Sequence, residues 1–270
     1  MKEQTRKVVD VLGIDVSVVI PEKAVNITMN YINRKELSTV FFHTAESSLF
    51  SQSHDWAAQC VDSCNLVLPG DIHMEYALAH TVFEGEGPGG NGKYAEDYLR
   101  RLMGRLSRES REIFIVVPSQ EKLESMREEM TAAYPSIRLD GGVLPEESEV
   151  ETESLVNEIN GTIPDAVFLC LPPHIQLNIL KEYVPMMNTH LVICIEDFKP
   201  SVLTGARLVP EWVEALHLTG IYQWFRKEHR IRERIVGSIF KKTVEEEKKE
   251  SMADESDRIE PEEDSKTDSE

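Results

Sequence analysis

The sequence predicts an α/β fold in which a mostly parallel β-sheet carries helices on both faces. Short apolar runs recur along the chain, and amphipathic segments with helical spacing lie between most of them. The run at 166–171 is apolar at every position, which is typical of a strand buried on both faces. Strands that alternate with helices form parallel sheets, because each helix returns the chain to the start of the next strand.

The region 134–171 shows this alternation most clearly. Residues 137–139 form a short extended run, and Gly141 and Gly142 are predicted to close it, since glycine adopts positive φ at no steric cost. A helix face follows, and Asn160-Gly161 is expected to end that helix before a proline that cannot continue it. The order is therefore strand, helix, strand.

The other elements are predicted from the same signals. A helix is expected to open at Pro21, since proline is favoured in a first helical turn, and another to be capped by Ser119. The remaining helices are predicted at 54–63, 94–106, 210–217 and 220–240, and a flexible loop at 84–92. The strands are predicted at 16–20, 39–43, 66–68, 113–117, 137–139, 167–171 and 191–195.

Charge separates the C-terminal segment from the rest of the chain. Residues 245–270 contain 13 acidic and 4 basic side chains and almost no aliphatic ones, so this tail is predicted to be disordered. The rest of the chain carries −10 of the net charge of −19, which argues against a nucleic-acid-binding protein. Three parts are expected: an α/β domain at 1–208, a basic helical appendage at 209–244 and the acidic tail at 245–270.

The expected compartment is the cytoplasm, because there is neither a signal peptide nor an apolar run near 18 residues. The four cysteines are expected to be buried, reduced thiols, and no second pair completes a metal site with Cys60 and Cys64. No Gly-x-Gly-x-x-Gly follows any strand, which argues against a nucleotide-dependent dehydrogenase.

Asp71 is the first candidate for chemistry. It follows the apolar strand through Pro69 and Gly70, so it should lie at the carboxyl edge of the sheet, where open α/β sheets bind ligands. A carboxylate there can act as a general base, or it can simply cap the helix that starts near Ile72. Thr44 ends another strand at the same edge.

The segment 224–242 is basic and amphipathic, with aromatic residues at its start. Such a helix suits an anionic membrane surface or a diphosphate, and arginine is suited to bidentate phosphate binding. The alternative is a helix packed on the body with its basic face in solvent.

Several motifs occur in an order that resembles the WecG/TagA/CpsF glycosyltransferases (glycosyltransferase family 26). The pattern P-x-I-x-x-x-G-G starts at Pro135, and I-N-x-T-x-P-D-A-V-F-L starts at Ile159. Further similar segments, over roughly residues 8 to 240, are Val11-Leu12-Gly13-Ile14-Asp15-Val16, Phe42-His43-Thr44-Ala45-Glu46, Asn65-Leu66-Val67-Leu68-Pro69-Gly70-Asp71, Leu208-Val209-Pro210-Glu211-Trp212 and the stretch from Gly220 to Arg234.

This resemblance implies a Rossmann-like fold and an inverting transfer of a hexosyl unit, without metal or cofactor, from a UDP-sugar to a polyprenyl-diphosphate-linked sugar. It implies a peripheral protein at the inner face of the cytoplasmic membrane and leaves a homo-oligomer open. By the same resemblance Asp71 is the base, Thr44 its neighbour and Gln176 a donor contact, and the diphosphate is bound by Arg226, Arg230, Arg232 and Arg234. His174, which does not match the family motif, is a further candidate for contact with a ligand.

Two departures from the family pattern support an alternative. The order here is Pro69-Gly70-Asp71, where the family has Pro-Asp-Gly. After Leu171 the family has Gly-x-Gly-x-Pro-Lys-Gln-Glu, whereas this chain has Pro172-Pro173-His174-Ile175-Gln176. A Cβ in place of glycine blocks close approach of the backbone to a phosphate. The alternative is a catalytically inactive family member that acts as a membrane-associated binding or regulatory protein.

Overall fold

The computed structural model describes residues 7–81, 92–145, 148–196, 235–247 and 249. A 3-10 turn at Val184–Met186 follows the helix Pro173–Glu182. The strands are β1 (Val8–Val11), β2 (Ile14–Ser17), β3 (Ser38–His43), β4 (Leu66–Pro69), β5 (Glu112–Val117), β6 (Arg138–Val143), β7 (Ala166–Leu169) and β8 (Leu191–Cys194). The helices are α1 (Pro21–Arg34), α2 (Ala45–Ser53), α3 (Asp55–Asp62), α4 (Ile72–Thr81), α5 (Tyr94–Arg108), α6 (Gln120–Ala133), α7 (Glu149–Thr162), α8 (Pro173–Glu182) and α9 (235–247).

A six-stranded parallel sheet in the order β4-β3-β8-β7-β5-β6 forms the centre of the domain, which confirms the predicted α/β class. One face packs against α1, α5 and α6, and the other against α2, α3, α4, α7 and α8. Every residue of β7 and β8 is buried, as expected for central strands covered on both faces.

The strand order places a topological switch between β5 and β7. The helix after β5 packs on one face of the sheet, and the helix after the neighbouring β7 packs on the other. In open α/β sheets, ligands bind at the carboxyl ends of strands where the chain diverges in this way. The ends of β3, β4 and β8 lie along the same edge, because all six strands run in one direction.

The predicted first strand at 16–20 is wrong. The chain instead forms an antiparallel hairpin, in which Val11 pairs with Ile14 and β2 ends at Ser17. Leu12 and Gly13 form its two-residue turn with φ of 55° and 81°, the signs that a type I′ turn requires. Leucine is an uncommon residue at such a position, so no local turn signal predicts the hairpin.

Two further boundaries differ from the predictions, and one helix has no predicted counterpart. The strand predicted at 137–139 continues through Gly141 and Gly142 as β6, where a Cβ at Gly141 would lie 2.6 Å from the carbonyl oxygen of Ile115. Those glycines therefore allow close packing inside the sheet and do not form a turn. The helix predicted to stop at Asn160-Gly161 continues to Thr162 and ends at Ile163, whose φ is 51°. Helix α2 was not predicted at all.

The C-terminal helix α9 packs directly on the α/β domain. A Cβ at Gly237 would overlap Nε2 of His73 on α4, so a larger residue would require the His73 ring to move. Phe240 is buried in the core of that face, and Lys241 Nζ lies 4.7 Å from the ring centroid of Tyr76. The four predicted arginine contacts, the helix at 210–217, the tail beyond 250 and nearly all of the loop at 84–92 lie outside the described residues.

None of the helices in the described part of the chain is long and apolar enough to cross a membrane. Over the same residues, no group of three or more histidine, cysteine, aspartate or glutamate side chains could hold a metal ion.

Candidate active site

Thr44 lies where β3 passes into α2, at the carboxyl edge of the sheet. Its backbone is extended, and its hydroxyl accepts a hydrogen bond of 3.1 Å from the N–H of Ser47. The Ser47 hydroxyl in turn accepts a bond of 2.8 Å from the N–H of Thr44, which completes a capping box. The side chain of Thr44 is buried and therefore fixed at the base of this edge.

Gly70 brings the end of β4 against the end of β3. Its N–H donates to the carbonyl of His43 at 2.7 Å. A Cβ at this position would lie 2.7 Å from Cγ2 of Thr44 and 2.9 Å from the carbonyl oxygen of Phe42. Only glycine fits here, so the order Pro-Gly-Asp has a structural cause: Gly70 makes the close contact and Asp71 follows beside α2.

The carboxylate of Asp71 joins the N-termini of two helices. Oδ1 accepts a hydrogen bond of 2.7 Å from the N–H of Met74 in α4, and Oδ2 accepts one of 2.8 Å from the N–H of Ala45 in α2. Asp71 therefore caps α4, the structural role that the sequence also allowed. Each carboxylate oxygen has two acceptor sites, so these bonds do not exhaust its capacity to accept a proton.

Burial raises the pKa of Asp71, while the N–H groups of Met74 and Ala45 and the neighbouring His73 oppose the rise. Burial has this effect because it disfavours the charged carboxylate. A raised pKa makes the ionised carboxylate a stronger base, and the two amide hydrogen bonds hold it in one orientation. Asp71 thus combines a structural contact with the electrostatics that a general base needs.

Glu196 is a second carboxylate at this edge, and sequence reasoning missed it. The Thr44 hydroxyl donates to Oε1 of Glu196 at 2.5 Å. The contact arises because β8 pairs with β3, and Glu196 follows two residues after the end of β8. An acidic residue directly after an apolar strand was the available signal, the same one that identified Asp71. Thr44 therefore contacts Glu196 on the β8 side and lies beside Gly70-Asp71 on the β4 side.

His43 lies beneath Thr44, completely buried. Its Nδ1 and the Ser47 hydroxyl share a hydrogen bond of 2.9 Å. Burial lowers the pKa of His43 to about 3, so the imidazole is neutral at physiological pH. Within the described part of the chain, its Nε2 has no hydrogen-bond partner. The packing around Thr44 therefore depends on an uncharged ring.

The two donor contacts predicted on α8 lie farther along the edge, after β7. Since β7 is two strands from β3, they are roughly 10 Å from Thr44 across the sheet. Gln176 is fully buried, and its Nε2 donates to the carbonyl of Leu169 at 2.8 Å. Its Oε1 has no partner among the described residues. His174 is exposed, with its ring centroid 6.4 Å from that of Phe50.

The first turn of α8 offers few amide donors to a phosphate. Pro172 and Pro173 have no N–H, and the N–H groups of Ile175 and Gln176 both bond to the carbonyl of Pro172 at 3.1 Å. The N–H of His174 is the one donor of that turn with no backbone partner in the described structure. A helix N-terminus normally supplies several such donors to an anion, so this turn is a weakened phosphate site.

A groove of about 470 Å³ lies between α7 and α8, away from Asp71 and Thr44. Glu149, Glu153 and Glu182 line it. Three carboxylates repel a diphosphate, so this groove is unsuited to a nucleotide-sugar.

The sequence matches the profile of the glycosyl transferase WecG/TagA/CpsF family over residues 9–248, which is most of the chain. No curated protein matches it. Members of this family are glycosyltransferases of cell-wall polymer synthesis, which in general use a nucleotide-sugar donor and a lipid-linked acceptor. The extent of the match and the parallel sheet with Asp71 and Thr44 at its carboxyl edge lead to one conclusion: this chain belongs to the WecG/TagA/CpsF family of glycosyltransferases.

Proposed function

We propose that the protein is an inverting, metal-independent glycosyltransferase that moves an N-acetylhexosaminyl-type unit from a UDP-sugar to a polyprenyl-diphosphate-linked sugar. The reaction serves the synthesis of cell wall or surface polysaccharide, at the inner face of the cytoplasmic membrane. The observation that carries the proposal is the fixed carboxylate of Asp71 beside Thr44, at the edge of the sheet where α/β proteins bind ligands.

In this reaction Asp71 removes the proton from the acceptor hydroxyl. That oxygen then forms a bond to the anomeric carbon, on the side opposite UDP. At the same time the bond between the anomeric carbon and UDP breaks, and UDP leaves with the electron pair. The configuration at the anomeric carbon is inverted. The raised pKa of Asp71 favours proton uptake, and the amides of Ala45 and Met74 hold the carboxylate without further reorganisation.

Thr44 has a positioning role. Its hydroxyl hydrogen is directed to Glu196 and its oxygen accepts from Ser47, so its orientation is fixed on both sides. Its methyl group lies against Gly70, where a Cβ would come within 2.7 Å. The threonine therefore sets the distance between the turn that carries Asp71 and the end of β8.

The diphosphate of the donor needs positive charge, since Asp71 and Glu196 are both acidic. We assign this role to Arg226, Arg230, Arg232 and Arg234. The attachment of α9 supports the assignment, because Gly237 contacts His73, two residues from Asp71. Arg234 precedes Gly237 by three residues in the chain, and a segment of that length spans at most about 11 Å.

Gln176 and His174 complete the proposed donor contacts. The buried Oε1 of Gln176 lacks a partner in the described residues, so it is an unsatisfied acceptor close to the carboxyl end of β7. The backbone N–H of His174 is the remaining amide donor of the α8 turn.

One observation favours the second candidate, a catalytically inactive member that binds at the membrane. Pro172 and Pro173 remove amide donors from the turn that should hold the donor phosphates. Such a protein would keep the fold and lose tight binding of the nucleotide.

Calorimetric titration with UDP and UDP-sugars at low salt separates the two functions. The transferase should bind UDP with micromolar Kd, and Arg226→Ala should weaken binding at least fivefold. Arg138→Ala is the matched control, because Arg138 is exposed on β6 at the far edge of the sheet. A correctly folded protein that binds no UDP, even with lipid present, would support the inactive member.

Turnover with lipid-linked acceptors then tests the base. Asp71→Asn should lower the rate at least 100-fold without weakening the binding of UDP, since a general base contributes about 10² to 10⁴. A rate close to that of the wild type would refute the role of Asp71.

A further inference from the structure

The outer surface of α5 carries a cluster of positive charge in a strongly acidic protein. Together with α1 it forms a groove of about 640 Å³, which we call the arginine groove. The net charge of the chain is −19, so four arginines along one groove are unexpected. The lining residues are Glu22, Val25, Asn26, Arg100, Arg101, Gly104, Arg105, Arg108 and Glu109.

The arginines face outward because the opposite side of α5 forms part of the core. Tyr98, Leu102 and Leu106 on that side are completely buried. Arg105 donates to the side chain of Asn26 on α1, which ties the two walls of the groove together. Arg101 and Arg108 lie seven residues apart, on one face of the helix, and neither has a hydrogen bond or an ion pair with any other described residue.

The floor of the groove is left open at Gly104. A Cβ there would have no heavy atom within 4 Å, so packing among the described residues does not require glycine. Glycine inside a helix costs about 1 kcal/mol relative to alanine. The open position among the arginines of α5 is therefore kept at the expense of helix stability, which points to an occupant.

We propose that the arginine groove holds the acidic C-terminal segment 251–270 of the same chain. This segment contains nine acidic and two basic residues, which complements the arginines in charge. Twenty residues can span roughly 65 Å, and a domain of this size has a radius of gyration of about 16 Å, so the segment can pass around the β4 edge of the sheet. A covalent tether raises its effective concentration to the millimolar range.

Carbodiimide coupling in the full-length chain tests this docking. The reagent activates a carboxylate, a lysine amine attacks it, and an amide bond forms with release of a urea; arginine does not react. Arg101→Lys and Arg108→Lys keep the charge and supply amines inside the groove. Arg138→Lys supplies a matched amine on β6, where the arginine is 69% exposed.

The expected result is links from the carboxylates of 251–270 to positions 101 and 108 within the monomer. Their yield should be at least fivefold that of links from the segment to position 138. In 1 M salt, where the Debye length falls to about 3 Å, the links should disappear.

Equal yields at the groove and control positions, or no links from the segment, would overturn the proposal. Links found only in a covalent dimer would overturn it as well and would indicate a second copy as the occupant. Anionic phosphatidylglycerol vesicles provide the last comparison. Protection of the two groove amines by vesicles, with no links to the segment, would show that the groove binds a membrane surface and not the chain.

Discussion

Acidification from pH 7 to pH 5 should destabilise the protein through His43. The ring is completely buried, and its pKa falls from 6.5 to about 3 on folding. The unfolded chain therefore binds a proton near pH 6.5 that the folded protein does not bind. Since the folded pKa is the lower one, stability is present above pH 6.5 and is lost as the pH falls toward 3.

The size of this effect follows from the two pKa values. Protonation of His43 in the unfolded state lowers the unfolding free energy by about 0.2 kcal/mol at pH 7 and by about 2.1 kcal/mol at pH 5. About 1.9 kcal/mol of the unfolding free energy should therefore be lost between pH 7 and pH 5. Other groups add their own pH dependence. The difference between the wild type and a variant that cannot titrate at position 43 isolates the contribution of His43.

Urea unfolding of the wild type and His43→Asn at both pH values measures this difference. Asparagine retains a polar atom for the Ser47 hydroxyl and does not titrate. The variant should lose about 1.9 kcal/mol less than the wild type between pH 7 and pH 5. His174→Asn controls for the general loss of an imidazole, because His174 is exposed. The reasoning would be refuted if wild type and His43→Asn lost the same unfolding free energy between pH 7 and pH 5, to within about 0.5 kcal/mol.

Four further variants concern the turn at Asp71, the open position on α5, the second carboxylate and the C-terminal helix. Gly70→Ala should cost about 1 to 3 kcal/mol because its Cβ meets Thr44 at 2.7 Å. Gly104→Ala should instead stabilise by up to about 1 kcal/mol, because that position is open, and thermal unfolding that shifts both variants in the same direction would contradict this contrast. Glu196→Gln should strengthen the binding of UDP several-fold by removing a negative charge near the proposed diphosphate, and an unchanged Kd in calorimetry would place Glu196 away from the donor. Phe240→Ala should lower the unfolding free energy by about 3 kcal/mol, because Phe240 is buried and anchors α9. It should also weaken UDP binding, since α9 directly follows the proposed arginine contacts. A loss of stability without a change in the Kd for UDP would show that α9 does not support the donor site.

The parallel sheet could be predicted because its cause is local. Each central strand is a short apolar run, and a helix face follows most of them, so the alternation is visible without knowledge of which strands pair. The position of Asp71 could be predicted for the same reason, since it requires only that the residue follow a strand. Its capping bond to Met74 also follows from local sequence.

The contacts that cross between strands could not be predicted. Glu196 meets Thr44 only because β8 inserts beside β3, and these residues are 152 positions apart in the chain. The glycine at position 141 predicts a turn when only the local sequence is considered. Its actual cause is the carbonyl of Ile115 on the neighbouring strand, which excludes a Cβ. In both cases the deciding atom belongs to a distant part of the sequence.

The close packing of Gly237 on His73 has a consequence for insertions into the chain between Glu196 and α9. The segment 197–234 follows Glu196, which bonds to Thr44, and precedes α9. Helix α9 contacts His73, which is two positions after Asp71 in the sequence. Glu196 and Gly237 are thus both held close to the turn at Gly70-Asp71 by contacts that lie outside the segment. Loop-closure entropy grows only with the logarithm of length, so ten inserted residues would cost about 0.2 kcal/mol. Insertions between these two attachments should therefore change the free energy of unfolding little.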